Sequence, residues 1–104
     1  STDPAALADV RAAAHLLAVR LARPVTAAFA TTGTPALGDA VERARRGPAP
    51  RVVVASYLLA PGHFHDRLTA SGADLVSPPI GPDPALAELV WSRFDEAVAR
   101  RTAA

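Results

Sequence analysis

The sequence predicts an α/β fold: a doubly wound parallel sheet of three to four strands with helices on both faces. Three observations carry this. The hydrophobic period alternates between helical and extended, in the order α-β-α-β-α-β-α. Strands alternating with helices imply right-handed crossovers and a parallel sheet. The run Arg51-Val52-Val53-Val54-Ala55-Ser56-Tyr57 has a continuous β-branched stretch at Val52–Val54, as in a strand buried on both faces. The chain of 104 residues has length for one domain, spanning 1–104, and not for two.

Each element has its own warrant. Asp3-Pro4 is a helix start, with Asp to cap free N–H groups and Pro for the first helical position. Leu7, Val10, Ala14, Leu17 and Leu21 follow as one apolar stripe, and Pro24 ends the helix. Residues 25–30 read as a short buried strand. Thr31-Thr32-Gly33-Thr34-Pro35 is a turn and a second helix start. That helix carries Leu37, Ala40, Val41 and Ala44. Its closing Arg43, Arg45 and Arg46 suit the negative end of a helix dipole. After the strand at 51–57 comes a loop, then a short helix from His63 to Ser71. Residues 74–77 form a third strand and 78–82 a rigid loop. Asp83-Pro84 repeats the cap-and-proline start, and the last helix runs to about Arg101, with Leu86, Leu89, Val90, Phe94, Ala97 and Val98 as its inner face. Three strands are few for four helices, so a strand before Ser1 is expected to complete the sheet.

Composition narrows the function. Half of the residues are apolar and the formal charge is +1, from eleven Arg and ten acidic residues. This is neither a disordered chain nor a concentrated basic surface for nucleic acid. No Cys is present, which excludes disulfides, thiolate catalysis and Cys-ligated metal. No apolar run reaches the ~18 residues of a membrane span, and nothing reads as a signal peptide. A cytoplasmic protein without a membrane partner is expected.

Ligands of open parallel sheets bind beyond the carboxyl ends of the strands. The loop after the best strand, Ala60-Pro61-Gly62-His63-Phe64-His65-Asp66-Arg67, holds two of the three His residues. His is the commonest metal ligand and titrates near neutrality. On an extended segment, residues two apart share a face and can reach one metal. On a helix they diverge by about 200° and become polar surface groups. Asp66 is read as a cap for the following helix, and His15 as a solvated residue. Thr31-Thr32-Gly33-Thr34 precedes a helix N-terminus, where either an anion or simple Thr34 capping fits; no Walker-type loop is present. Tyr57 either lines a pocket or packs in the core. Trp91 is read as packing.

The stretch Val54-Ala55-Ser56-Tyr57-Leu58-Leu59-Ala60-Pro61-Gly62, followed by His-Phe-His-Asp-Arg, resembles the central strand and loop of sirohydrochlorin chelatases. Gly72-Ala73-Asp74, Pro79-Ile80-Gly81-Pro82-Asp83-Pro84 and Leu86-Ala87-Glu88-Leu89-Val90 are similar to the next strand, loop and last helix of that family. Ser1-Thr2-Asp3-Pro4 is similar to the tail of its opening motif, Ala-His-Gly-Ser-x-Asp-Pro. The resemblance covers nearly the whole chain and is most specific from Arg51 to Val90. It departs in the loop, where the family's Gly-x-His places His and this chain has Phe64. The family's opening His has no counterpart in the chain.

The resemblance implies a chelatase/flavodoxin-like half and insertion of Co²⁺, Fe²⁺ or Ni²⁺ into a tetrapyrrole, in cobalamin or sirohaem synthesis, with no cofactor beyond that metal. The family's metal-binding pair is not present in matching form, so His65 first and His63 second, on either side of Phe64, are expected as the metal-binding and catalytic groups, because neutral imidazole both holds first-row metals and accepts protons. Tyr57, Leu59, Pro61, Gly62, Phe64 and Thr32 are expected to line the tetrapyrrole site. Family members pair as homodimers or as two halves of a longer chain, so either arrangement is expected here, with strand exchange at an open sheet edge. The alternative is a non-catalytic tetrapyrrole-binding or pairing half. A generic flavodoxin-like regulator or nucleotide binder has no phosphate loop to support it.

Overall fold

The computed structural model describes residues 3–103; Ser1, Thr2 and Ala104 lie outside it, and with them most of the expected opening-motif tail. It shows a mixed helix and strand fold: α1 (Pro4–Leu21), α2 (Leu37–Arg45), β1 (Val53–Val54), α3 (His63–Thr69), β2 (Leu75–Val76) and α4 (Pro84–Ala103).

The helix starts obey local chemistry. Asp3 Oδ1 accepts the Ala5 N–H at 3.0 Å, with Pro4 in the first turn of α1. Asp83 Oδ1 does the same for the Ala85 N–H at 2.8 Å at the head of α4. Ala22 closes α1 in the left-handed region and donates its N–H back to Val19 at 3.3 Å. The start of α2 differs from expectation. Its N-cap is Ala36, with no side-chain cap, so Thr34 does not cap it.

β1 and β2 pair in parallel, Val53 opposite Leu75 and Val54 opposite Val76. At the entry to this pair, Asp74 and Val52 grip each other twice. The Asp74 N–H donates to the Val52 carbonyl at 2.9 Å, and Asp74 Oδ2 accepts the Val52 N–H at 2.7 Å. Arg45, at the end of α2, donates to Asp74 Oδ1 at 3.4 Å and to the Gly72 carbonyl. A helix end, a strand and a loop therefore meet on one carboxylate. The buried apolar side chains are Val41 on α2, Val52 beside β1 and Leu68 on α3.

Five expectations need correction. Residues 25–30 do not form a strand: the segment is extended, and its one ladder contact is a parallel bridge between Phe29 and Ala36. Three of its six residues are Ala, which bring little side chain to a sheet face, and Phe29 instead closes a local loop through the Pro35 carbonyl and the Leu37 N–H. The sheet among the described residues has two strands, not three or four. The helices do not clad both faces. Two strands about 4.8 Å apart offer a surface no wider than one helix of about 10 Å diameter. Val53 and Leu75 accordingly stay 58% and 54% exposed. The expected inner face of α4 is open at Leu89, Val90, Phe94 and Val98, and Trp91 stacks on Phe94 at 5.5 Å rather than entering a core. The molecule is elongated, 53 × 28 × 25 Å, with a radius of gyration of 16.0 Å, against about 13 Å for a compact chain of this length.

The Asp74 carboxyl is held below its ordinary value of 3.8, chiefly by the hydrogen bond from the Val52 N–H; desolvation opposes this as the next largest effect, and Arg45 and then Arg51 lower it further. A depressed folded value means that the stabilisation is present above the ordinary carboxyl range and is lost as pH falls through the folded value. Thermal melting midpoints are therefore expected to fall as pH is taken from 5 to below about 3.8. The Asp74→Ala chain should melt lower at neutral pH and lose that part of the acid dependence.

Candidate functional site

The site is built where β1 and β2 end. Past Val54 the ladder is continued by a side chain. The Ser77 N–H donates to the Val54 carbonyl at 2.9 Å, and Ser77 Oγ accepts the Ser56 N–H at 2.8 Å. The same hydroxyl donates to the Pro78 carbonyl at 3.1 Å. Further out, the Ile80 N–H reaches the Leu58 carbonyl at 2.7 Å and the Gly81 N–H reaches the Leu59 carbonyl at 2.8 Å. The two loops at the carboxyl ends are thus zipped together for several residues beyond the regular strands.

This zipped pair presents apolar groups to solvent. Tyr57 and Leu59 are 66% and 61% exposed, and Phe64 and Ile80 are open as well. Pro61 is also exposed. Tyr57 is therefore not a core residue. Exposed apolar residues of this kind beside strand ends mark an interaction surface.

Gly62 turns the chain from this rim into α3. Its φ of 155° and ψ of −167° lie in a region that side chains avoid. It acts through backbone geometry. No side chain caps α3, so the expected Asp66 cap is absent, although Asp66 lies in the first turn, where its charge suits the dipole. His63, Phe64 and His65 all fall in the first turn of the helix. Residues two apart on a helix diverge by about 200°. The structure thus realises the helical alternative for this pair: His63 and His65 do not share a face. His63 is exposed, with its ring edge-on to Phe64 at a centroid distance of 5.6 Å. His65 is half-buried, and its Nδ1 is shielded from solvent without a hydrogen-bond partner. Buried polar atoms are ordinarily paired, and a hydrogen bond at one imidazole nitrogen is what commits the other. His65 lacks that commitment.

Among the described residues, no three His, Asp or Glu side chains gather to hold a metal. Thr32 lies exposed in the loop at 31–35, and Arg11 of α1 ties that loop by donating to the Thr34 carbonyl at 3.3 Å. His15 is exposed as expected, beside an open depression of about 340 Å³ between α1 and residues 25–27. A second depression of about 460 Å³ lies along the head of α4, lined by Pro82, Leu86, Val90 and Trp91 among others. Neither includes Tyr57, His63 or His65; the exposed Tyr57, Leu59, Pro61 and Phe64 form a platform at the strand ends. The sequence reading missed the Ser56–Ser77 link and the Arg45–Asp74 clasp. Small polar residues at a strand end were the available signal for the first.

The family model CbiX, that of the sirohydrochlorin chelatases, matches residues 1–97. The chain belongs to this family. The match takes in the whole of the zipped loops, α3 and most of α4. Phe64, where the resemblance departs, is exposed. No curated protein and no solved structure matches the chain. No helix among the described residues is long and apolar enough to cross a membrane.

Gly62→Ala is expected to cost about 1–3 kcal/mol, read from denaturant midpoints, because the backbone conformation itself excludes a Cβ. Nothing lies within 4 Å of where that Cβ would sit. A steric clash therefore makes no part of the cost.

Proposed function

We propose that this CbiX-family chain binds a sirohydrochlorin-type tetrapyrrole on the rim of Tyr57, Leu59, Pro61 and Phe64, and that His65 brings a divalent metal, Co²⁺ or Fe²⁺, to its centre. The observation that carries this is the uncommitted imidazole of His65, held half-buried at the start of α3 beside an exposed apolar rim. Insertion replaces two pyrrole N–H protons by M²⁺ and releases two H⁺. Imidazole serves both halves of that exchange, as ligand to a first-row metal and as proton acceptor near neutral pH. His63, on the other side of the helix and open to solvent, serves as an outer station for the metal or the released proton. The macrocycle's carboxylates point outward from its plane, and Arg67 on α3 is a cation within the same helix to meet one. The reaction belongs to cobalamin or sirohaem synthesis in the cytoplasm, carried out by a homodimer or by two halves of a longer chain that complete the sheet.

A second reading has its own support. Phe64 stands in the family's His position, and the described residues gather no three-ligand metal cluster. These favour a half that binds tetrapyrrole, or pairs with a catalytic half, without supplying the metal.

Co²⁺-dependent conversion of sirohydrochlorin, followed by absorbance, separates the two. The unmutated chain is expected to exceed the metal-only rate, and His65→Ala to lose about a hundredfold. A rate no higher than the metal-only control, with tetrapyrrole still bound, establishes the pairing half instead.

A further inference from the structure

We propose that Ser77 is a positioning residue. Its hydroxyl locks the loop after β1 to the loop after β2 and so holds the tetrapyrrole-facing platform in one shape before the ligand arrives; this rests on the platform reading above. In a parallel ladder at the observed register, the acceptor for the Ser56 N–H would be the Ser77 carbonyl. The Ser77 hydroxyl stands in its place, 2.8 Å from the Ser56 nitrogen. The substitution has a geometric purpose. It lets the backbone at Ser77 leave the strand direction for the proline-rich loop while the two chains stay tied. The hydroxyl's own hydrogen goes to the Pro78 carbonyl at 3.1 Å, so one side chain satisfies a donor on one loop and an acceptor on the other. Within the loop after β1, Ser56 Oγ accepts the Leu58 N–H at 3.4 Å, a local turn bond that does not cross to the other loop.

Everything the platform exposes lies just beyond this lock. Tyr57 and Leu59 flank Leu58, whose carbonyl accepts from Ile80, and Leu59 itself accepts from Gly81. Without the hydroxyl, the Ser56 N–H loses its acceptor and the two outer bonds become the ends of an unanchored loop. Ordering those loops would then be charged to ligand binding, which weakens affinity without removing a single ligand contact. Ala at 77 removes the lock, whereas Thr keeps the hydroxyl and suits extended backbone.

The test measures sirohydrochlorin affinity by fluorescence and amide hydrogen exchange on the same chains. In the unmutated chain, the Ser56, Ile80 and Gly81 amides are expected to be protected without ligand. Ser77→Ala is expected to weaken binding about tenfold, the worth of one hydrogen bond with its donor left unpaired, and to speed exchange at those three amides. Ser77→Thr should restore both. Binding by Ser77→Ala equal to that of the unmutated chain overturns the proposal while leaving the platform reading in place. Equal losses in the Ala and Thr variants overturn it too. An unprotected Ser56 amide in the unmutated chain overturns it without recourse to any variant, which covers a Ser77→Ala chain that does not fold. Failure of the unmutated chain to bind sirohydrochlorin, with Ser56 protected, overturns the platform reading and this proposal together.

Discussion

The double grip between Val52 and Asp74 is the constraint on which the rest of the structure depends. Two paired residues per strand make too few ladder bonds to fix a parallel register alone. The Asp74 carboxylate adds a bond to the Val52 N–H, and its own N–H adds another to the Val52 carbonyl. Charge then recruits α2, because Arg45 reaches both the carboxylate and the Gly72 carbonyl. A slip of one residue would break all of these together and turn every side chain of the strand to the other face. Exposed ion pairs contribute little by themselves. Here the pair matters because it is joined to backbone bonds that set where β1 and β2 begin.

The far end of the same strand pair is closed by a different device. Ser77 extends the pairing with a hydroxyl where the main chain has turned away, and the Leu58 and Leu59 carbonyls continue the zipper. A carboxylate at the entry and a hydroxyl at the exit thus hold a short sheet whose outlet loops are ordered well past its last regular residue. That order is what gives meaning to the exposed Tyr57, Leu59 and Phe64. The zipped loops hold Tyr57 and Leu59 in their exposed positions.

The narrow sheet also explains the shape of the molecule. It offers room for about one helix, and the apolar stripe of α4 remains open from Leu89 to Val98. An open helix face and an open sheet edge thus lie on the same chain.

Much of this protein was legible in the residues themselves. Asp3-Pro4 and Asp83-Pro84 marked helix starts because capping is a bond between neighbours in sequence. The loop at 58–66 stood out as the candidate site because it follows the one strongly β-branched run, and its residues carried the resemblance to the family. What sequence did not decide was pairing over distance. Residues 25–30 have the pattern of a strand but find no partner strand among the described residues, since a strand exists only through its neighbour. The Asp74 clasp joins groups 22 residues apart, and the Ser77 lock joins groups 21 apart, so neither has a local signature. The His pair shows the division most sharply. Its two residues and their spacing are written in the chain, yet whether they share a face depends on the backbone turning at Gly62 into a helix, and only the folded chain made that turn.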